Sequence, residues 1–250
     1  MNDKEFFITI KNDLYNNANI TNEELVVLAI IKKNYNNMKE LSLISINFIM
    51  NIMCVFNRNP KIIQSIRQAI KGLIEKQYIK GILNITYDIE EINNIKNNDL
   101  FYVEVEKDLD SYFCVNEYDL DLIFNYLHNT NINKFAFVRY YIAIQRVINN
   151  DAQFGWLTQS SVKNIINHSQ TIAKYNEILA NELNLIIYNN SYMTQERKYC
   201  STYFARYGDD VNFNKQLQFV IEDKHLIYTS KTYSNLKRSN TLQISKEIII

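Results

Sequence analysis

The stretch Asn59-Pro60-Lys61-Ile62-Ile63-Gln64-Ser65-Ile66-Arg67-Gln68-Ala69-Ile70-Lys71-Gly72-Leu73-Ile74-Glu75-Lys76, running into Gln77-Tyr78-Ile79-Lys80-Gly81-Ile82, decides how the whole chain is read. An Asn side chain accepts hydrogen bonds from the free N–H groups that open a helix, and Pro suits the first helical position, where its missing N–H costs nothing. Ile62, Ile63, Ile66, Ile70, Leu73 and Ile74 then recur at helical spacing, opposite Lys61, Gln64, Gln68, Lys71 and Glu75. The spacing predicts an amphipathic helix over Pro60 to Lys76. Its cations, Lys61, Arg67, Lys71 and Lys76, meet a single acid, Glu75. Gln and Lys on the outer face of a helix reach base edges and phosphates in a major groove, so this segment reads as a recognition helix.

Upstream, Thr21-Asn22-Glu23-Glu24 is a capping box, and Leu25, Leu28, Ala29 and Ile31 continue it as an apolar stripe, predicting a helix to Asn34. Leu43 to Met53 predicts a short second helix with Ile44, Phe48, Ile49 and Ile52 inward, and Asn57 to Pro60 is the turn into the third. Downstream, Gln77 to Ile82 switches to extended structure, and Phe101-Tyr102-Val103-Glu104-Val105 alternates with period two, so the two are expected to pair as a hairpin. Three helices followed by a hairpin make a winged helix.

The same order recurs further along. A connector helix is expected from Glu117 to Leu127, and Lys134 opens a helix carrying Phe137, Val138, Tyr141, Ile142, Ile144 and Val147. Thr158 is the expected cap of a short helix through Val162, Ile165 and Ile166. Ser169 is the expected cap of the next, Gln170 to Leu183, with Ile172, Tyr175, Leu179 and Leu183 inward and Gln170, Lys174, Glu177 and Asn181 outward. Leu185-Ile186-Ile187-Tyr188 and the stretch from Tyr199 to Arg206 frame a polar wing tip, Asn189 to Lys198. The fold class expected is mainly α with small β-hairpins, an α+β arrangement of two winged helix-turn-helix domains in tandem. Residues 1–115 form the first domain, 116–131 a connector, 132–235 the second domain and 236–250 a basic and apolar tail.

Composition narrows the chemistry. With 4 Gly and 1 Pro, Gly-rich nucleotide folds and large β-sandwiches are disfavoured, and the many Asn residues are read as solvated loops. Cys54, Cys114 and Cys200 are odd in number and far apart, which suits a reducing compartment rather than a disulfide framework. His128, His168 and His225 stand apart from one another, and neither a zinc spacing nor a phosphate-cradling Gly-rich loop occurs. No catalytic residue, metal or cofactor is therefore expected, and the protein is read as a non-enzyme. Phe135, Phe137, Tyr140 and Tyr141 sit at helical spacing and are read as core rather than as a base-stacking platform. No stretch of about 18 uninterrupted apolar residues occurs, so the expectation is a cytoplasmic protein with no membrane partner.

Charge balances at 27 basic against 27 acidic residues, but unevenly along the chain. Residues 88–121 hold eleven acids and two lysines, a surface that DNA would avoid, whereas Lys224, Lys231, Lys237, Arg238 and Lys246 form a tail without an intervening acid. The Pro60 helix carries four cations and one acid; its counterpart from Gln170 carries one cation, Lys174, and two acids. The two blocks are thus expected to be unequal partners on DNA, the first gripping and reading, the second reading more weakly or relying on its wing at Arg197 and Lys198.

The segments Asn59 to Ile74 and Ser169 to Leu179 resemble the third helices of tandem winged-helix DNA-binding proteins from plasmids and phages of low-GC bacteria, replication initiators among them. In the second block Thr171, Lys174, Tyr175, Asn176 and Leu179 carry the likeness, and Ala205-Arg206-Tyr207 resembles a short motif after that group's wing. The resemblance spans about 200 residues and implies sequence-specific binding of double-stranded DNA, with replication initiation as its leading use. The DNA-facing residues expected are Lys61, Gln64, Arg67, Gln68 and Lys71 in one groove, Gln170, Thr171, Lys174 and Asn176 in a nearby one, and Arg197 and Lys198 on the second wing. The acidic first wing departs from a DNA-gripping wing. Transcriptional control and plasmid segregation use the same fold, and an adaptor that binds protein through the acidic hairpin is the reading from another class. Direct or inverted DNA repeats are the expected targets, and a homodimer stays open because Leu242-Gln243-Ile244-Ser245 can add a strand to a partner.

Overall fold

A computed structural model describes residues 6–15, 17–36, 39–55, 59–84, 94–105, 111–127, 132–166, 171–194 and 201–228. These residues form an α+β structure of eight α-helices and several small antiparallel sheets, divided into two compact units, Met1–Arg146 and Val147–Ile250. None of the described helices is long and apolar enough to cross a membrane.

The first unit runs β1 (Phe7–Lys11), α1 (Asn22–Lys33), β2 (Tyr35–Asn36), β3 (Leu41–Ile44), α2 (Ile46–Ile52), α3 (Pro60–Glu75), β4 (Ile79–Asn84), β5 (Phe101–Val105), β6 (Tyr112–Asn116), α4 (Glu117–Asn125) and α5 (Lys134–Ile148). Both expected caps form: the Thr21 hydroxyl accepts from Glu24 N at 3.1 Å while Glu24 accepts from Thr21 N at 2.7 Å, and Asn59 Oδ1 accepts from Lys61 N at 3.0 Å. The expected hairpin also forms, with Ile82 opposite Val103 in the β4–β5 pair. The segment from Leu43 departs from expectation. It is a strand, not the start of a helix, because Leu43 and Ile44 pair with Tyr102 and Phe101, and Ser45 caps α2 by accepting from Phe48 N at 3.0 Å. The resulting sheet has the order β2-β3-β5-β4, and β1 pairs with β6 beside it.

Helices end here without glycine. Cys54, Gln77 and His225 occupy the left-handed region at φ 51, 62 and 47, each just past a helix C-cap. At the end of α3 the N–H of Tyr78 donates to Leu73 O at 2.9 Å and that of Gln77 to Ile74 O at 3.0 Å, the paired bonds that satisfy the last free carbonyls. Gly72 is kept for a different reason, since a Cβ there would lie 1.9 Å from Glu24 Oε1. The missing side chain lets the Glu24 carboxylate, on a residue only 4% exposed, sit against α3 and receive Lys76 Nζ at 2.7 Å on both oxygens.

Most of α5 packs with the first unit, and the division into compact units falls between Arg146 and Val147, beside an expected connector at 116–131. The reason is polar anchoring as well as burial. Lys134 Nζ donates to Met53 O at 2.7 Å and Phe124 O at 2.8 Å, closing the C-terminal ends of α2 and α4, and burial pulls its pKa down while nearby Cys54 opposes. Arg139 is buried and donates to the carbonyls of Ile20 and Asn17, the latter at 2.9 Å. Desolvation pulls its guanidinium down to about 10, against the opposing pull of Glu23 and Glu24, so it remains charged at neutral pH. Phe135, Phe137, Tyr140 and Tyr141 are buried, and Tyr141 donates to Asp119 Oδ2 at 2.5 Å.

The second unit continues with β7 (Phe154–Leu157), α6 (Gln159–Ile166), α7 (Ile172–Glu177) with a π-helical turn over Ile178–Glu182, β8 (Ile186–Asn189), β9 (Tyr192–Met193), β10 (Thr202–Arg206), α8 (Asp210–Asp223) and β11 (Ile227–Tyr228). Its sheet order is β7-β10-β8, so strand, helix, helix, strand, strand recurs with the last strand in the middle, as in β3-β5-β4 of the first unit. Thr158 caps α6, accepting from Ser161 N at 3.0 Å. α8, which the sequence did not single out, covers one sheet face: Phe213, Leu217 and Val220 cluster with Phe154, Ile187, Tyr203 and Ala205. Gly155 is required because a Cβ there would lie 2.1 Å from Val147 O. The expected cap Ser169 and the tail 236–250 lie outside the described residues.

These contacts rank two substitutions. Gly72→Ala must displace a side-chain oxygen and is expected to cost about 1–3 kcal/mol, whereas Gly155→Ala must move main chain and is expected to cost about 3 kcal/mol or more. Urea unfolding midpoints of the two variants check this order, and a smaller loss for Gly155→Ala would refute it. Tyr188 generates a pH dependence: burial first, then Glu177, pushes its pKa up to about 12. The folded state then holds its proton while the unfolded state ionises above about pH 10, so this contribution is intact below pH 10 and is lost as pH climbs toward 12. Tyr188→Phe should flatten the fall in stability across that window by about 2–3 kcal/mol, read from urea titrations at pH 9 and above.

Candidate nucleic-acid interface

Among the described residues, the outer face of α3 is where expected DNA-facing side chains stand together. Lys61, Gln64, Gln68 and Lys71 are all exposed, and their spacing of three, four and three residues places them on a single stripe. Ile66, Ala69, Ile70, Gly72 and Leu73 are buried on the opposite side. Asn59 and Pro60 fix where this stripe begins, and the left-handed Gln77 fixes where the helix stops. The stripe offers amide groups that donate and accept, flanked by ammonium groups. Lys71 lies 3.7 Å from Glu75 Oε1, an exposed pair of neighbouring helix turns that leaves the ammonium accessible.

Two cations counted on this helix by sequence are not on that stripe. Lys76 is drawn to Glu24, and Arg67 is half-buried with Nη2 donating to Asn97 Oδ1 at 2.9 Å. Arg67, expected among the DNA-facing residues, thus has its guanidinium turned to the segment that leads into β5. Asn97 had no signal of its own, standing in an Asn-rich stretch read as a solvated loop. That stretch is tied down instead: Asn97 O accepts from Asn47 N at 2.9 Å, the Asn47 and Asn98 side chains hydrogen-bond, and Ile95 is buried.

The second set is not assembled in the same way. Gln170, Arg197 and Lys198 lie outside the described residues. Thr171 and Lys174 are half-buried at the start of α7, and Asn176 is only 1% exposed. Asn176 is corrected from a base-reading residue to a core one: Ile172, Tyr175, Asn176 and Leu179 follow the i, i+3, i+4, i+7 pattern of an inward stripe. The expected helix to Leu183 is six α-helical residues followed by the π turn, which changes the angular step of every residue after Ile178.

Of the acids of 88–121, the described ones are partly engaged within the fold. Asp88, Glu90, Glu91, Glu106, Asp108 and Asp110 lie outside the described residues, and Glu104 is exposed on β5. Glu117 and Asp121 hold Lys33 at 3.4 and 2.9 Å, and Asp119 accepts from Tyr141. Lys224, counted with the basic tail, lies with Nζ 4.6 Å from the Trp156 ring centroid, a cation–π contact that turns it toward the sheet of the second unit. Among the described residues no group of three His, Cys, Asp or Glu comes together as a metal site.

Set against known protein families, curated proteins and solved structures, the chain matches none.

The burial contrast within α7 is testable without DNA. Asn176→Ala removes a buried amide and is expected to lower stability by about 1–3 kcal/mol, while Lys174→Ala stays within about 0.5 kcal/mol. Thermal or urea unfolding separates them, and equal small effects would return Asn176 to the surface.

Proposed function

We propose that this chain binds double-stranded DNA sequence-specifically through α3, as a winged-helix protein that initiates replication of a plasmid or phage. The observation that carries the reading is the α3 stripe of Lys61, Gln64, Gln68 and Lys71, exposed on a helix anchored at both ends and followed by the β4–β5 hairpin. Bidentate amides read adenine edges, and ammonium groups neutralise phosphates, so the stripe combines specificity with grip. Support for the winged-helix form comes from the two sheets, β3-β5-β4 and β7-β10-β8, each preceded and interrupted by helices in the same order. The replication role rests on the resemblance of the third-helix segments to those of plasmid and phage initiators.

The mechanism follows from the division of labour on α3. Long-range attraction brings the phosphate backbone to Lys61 and Lys71, and the short Gln64 and Gln68 amides then select among sequences at close range. The half-buried positions of Thr171 and Lys174 leave α7 less side-chain reach than α3, consistent with a first unit that does most of the reading.

Binding of the duplex that flanks the gene, measured by footprinting and titration across salt concentrations, tests the proposal. Gln64→Ala or Gln68→Ala is expected to cost about 1–3 kcal/mol at one base position only, whereas Lys71→Ala should weaken all sequences alike and reduce the salt slope by about one. Equal losses on the flanking duplex and on random duplex for all three variants would remove sequence reading from α3, and salt-independent or absent binding would remove DNA as the ligand.

A further inference from the structure

We infer that Asn97 is a positioning residue for the reading face of α3, acting through Arg67 rather than on DNA; the inference rests on the DNA-binding reading above. Three bonds converge on the short segment that enters β5. The Arg67 guanidinium donates to Asn97 Oδ1 at 2.9 Å, Asn47 N donates to Asn97 O at 2.9 Å, and the side chains of Asn47 and Asn98 bond to each other. Asn47 stands in the first turn of α2, where N–H groups have no partner inside the helix, so Asn97 supplies the acceptor that turn lacks. One residue thus joins the N-terminal turn of α2, the middle of α3 and the strand that closes the hairpin.

The segment is rigid enough to serve as an anchor. Ile95 is 1% exposed, and the Lys96 to Asp99 turn is closed by Lys96 N donating to Asp99 Oδ2 at 2.8 Å and Asp99 N donating to Lys96 O at 3.1 Å. On the helix, Arg67 lies three residues after Gln64 and four before Lys71, at the border of the exposed stripe. Holding Arg67 adds to the buried face of Ile66, Ala69, Ile70 and Leu73 in setting the rotation of α3 about its axis at the level of the two amides. A rotation of one residue step would move a Gln amide by several ångströms and break a bidentate contact, while phosphate contacts by flexible Lys side chains would tolerate it. The Arg67–Asn97 bond is therefore placed to control specificity more than total affinity. A guanidinium donates in a fixed planar fork, which a lysine at the same position would not reproduce.

Duplex binding by the full chain separates this from a phosphate role for Arg67. Asn97→Ala is expected to weaken binding to the footprinted duplex about tenfold, change binding to random duplex less than about twofold, and leave the salt slope unchanged, since no charge is removed. Arg67→Lys should reproduce that pattern, the double variant should add little to either single one, and Asn97→Asp, which keeps an acceptor, should retain specificity. A salt slope lowered by about one in Arg67→Ala with full specificity retained in Asn97→Ala would overturn the inference and return Arg67 to the phosphates. Hydrogen exchange of α3 amides and the NMR signal of the Arg67 guanidinium read the brace without DNA. The exchange should change in both Asn97→Ala and Arg67→Lys, and the Arg67 signal in Asn97→Ala, even if the protein binds no duplex, in which case only the DNA reading fails. Unchanged exchange and an unchanged Arg67 signal would overturn the brace itself.

Discussion

The first unit depends on one nearly dry carboxylate. Glu24 closes the capping box of α1 by accepting from Thr21 N, and the same two oxygens receive Lys76 at the end of α3. A charge in this position is costly to remove from water, and it is tolerated because both oxygens are occupied by donors and the counter-charge is in contact. The pair leaves no room for a side chain at position 72, which explains one of the chain's few glycines. Through this contact the start of α1 is tied to the end of α3, where the left-handed Gln77 stops the helix, and Asn59 and Pro60 set where it begins.

With its ends fixed, α3 divides its polar residues between two tasks. Lys61, Gln64, Gln68 and Lys71 remain outward, while Arg67 and Lys76 turn back to neighbours within the fold. Counting charges along the helix treats all four cations as equivalent, but the structure spends two of them on orientation. The remaining stripe is less basic than the count suggested and more rigid than an isolated helix would be. The same economy appears around α5, where Lys134 and Arg139 satisfy carbonyl groups at helix ends and loop turns instead of facing solvent.

Repetition and asymmetry coexist in the two units. Both sheets place their last strand in the middle, and both follow a short helix with a second one; the second sheet is also covered by a following helix, α8, through Phe213, Leu217 and Val220. The π turn after α7 and the burial of Asn176 leave the second helix pair with a different surface from the first. An ancestral or functional equivalence of order thus need not extend to equivalence of exposed chemistry.

Local chemistry by itself determined the starts of α1 and α3, the α3 stripe and the hairpin after it. Capping residues, proline and apolar periodicity act within a few residues of one another and need no distant partner. Strand β3, helix α8 and the unit boundary were decided by tertiary structure: Leu43 and Ile44 are extended because Tyr102 and Phe101 pair with them, and α5 joins the first unit because of Ile20, Asn17 and Phe124. The stops of α2 and α3 were legible without glycine, from the end of apolar helical spacing at Met53 and Lys76, although Cys54 and Gln77 rather than glycine take the left-handed positions. The candidate site shows the same division. Periodicity alone found Lys61, Gln64, Gln68 and Lys71, and the inward stripe containing Asn176 was visible in its spacing; the assignments of Arg67, Lys76 and the acids of α4 were not. A side chain's charge is written in the sequence, but the partner that neutralises it stands up to 88 residues away, as Asp121 does from Lys33, and only the folded chain brings the two together.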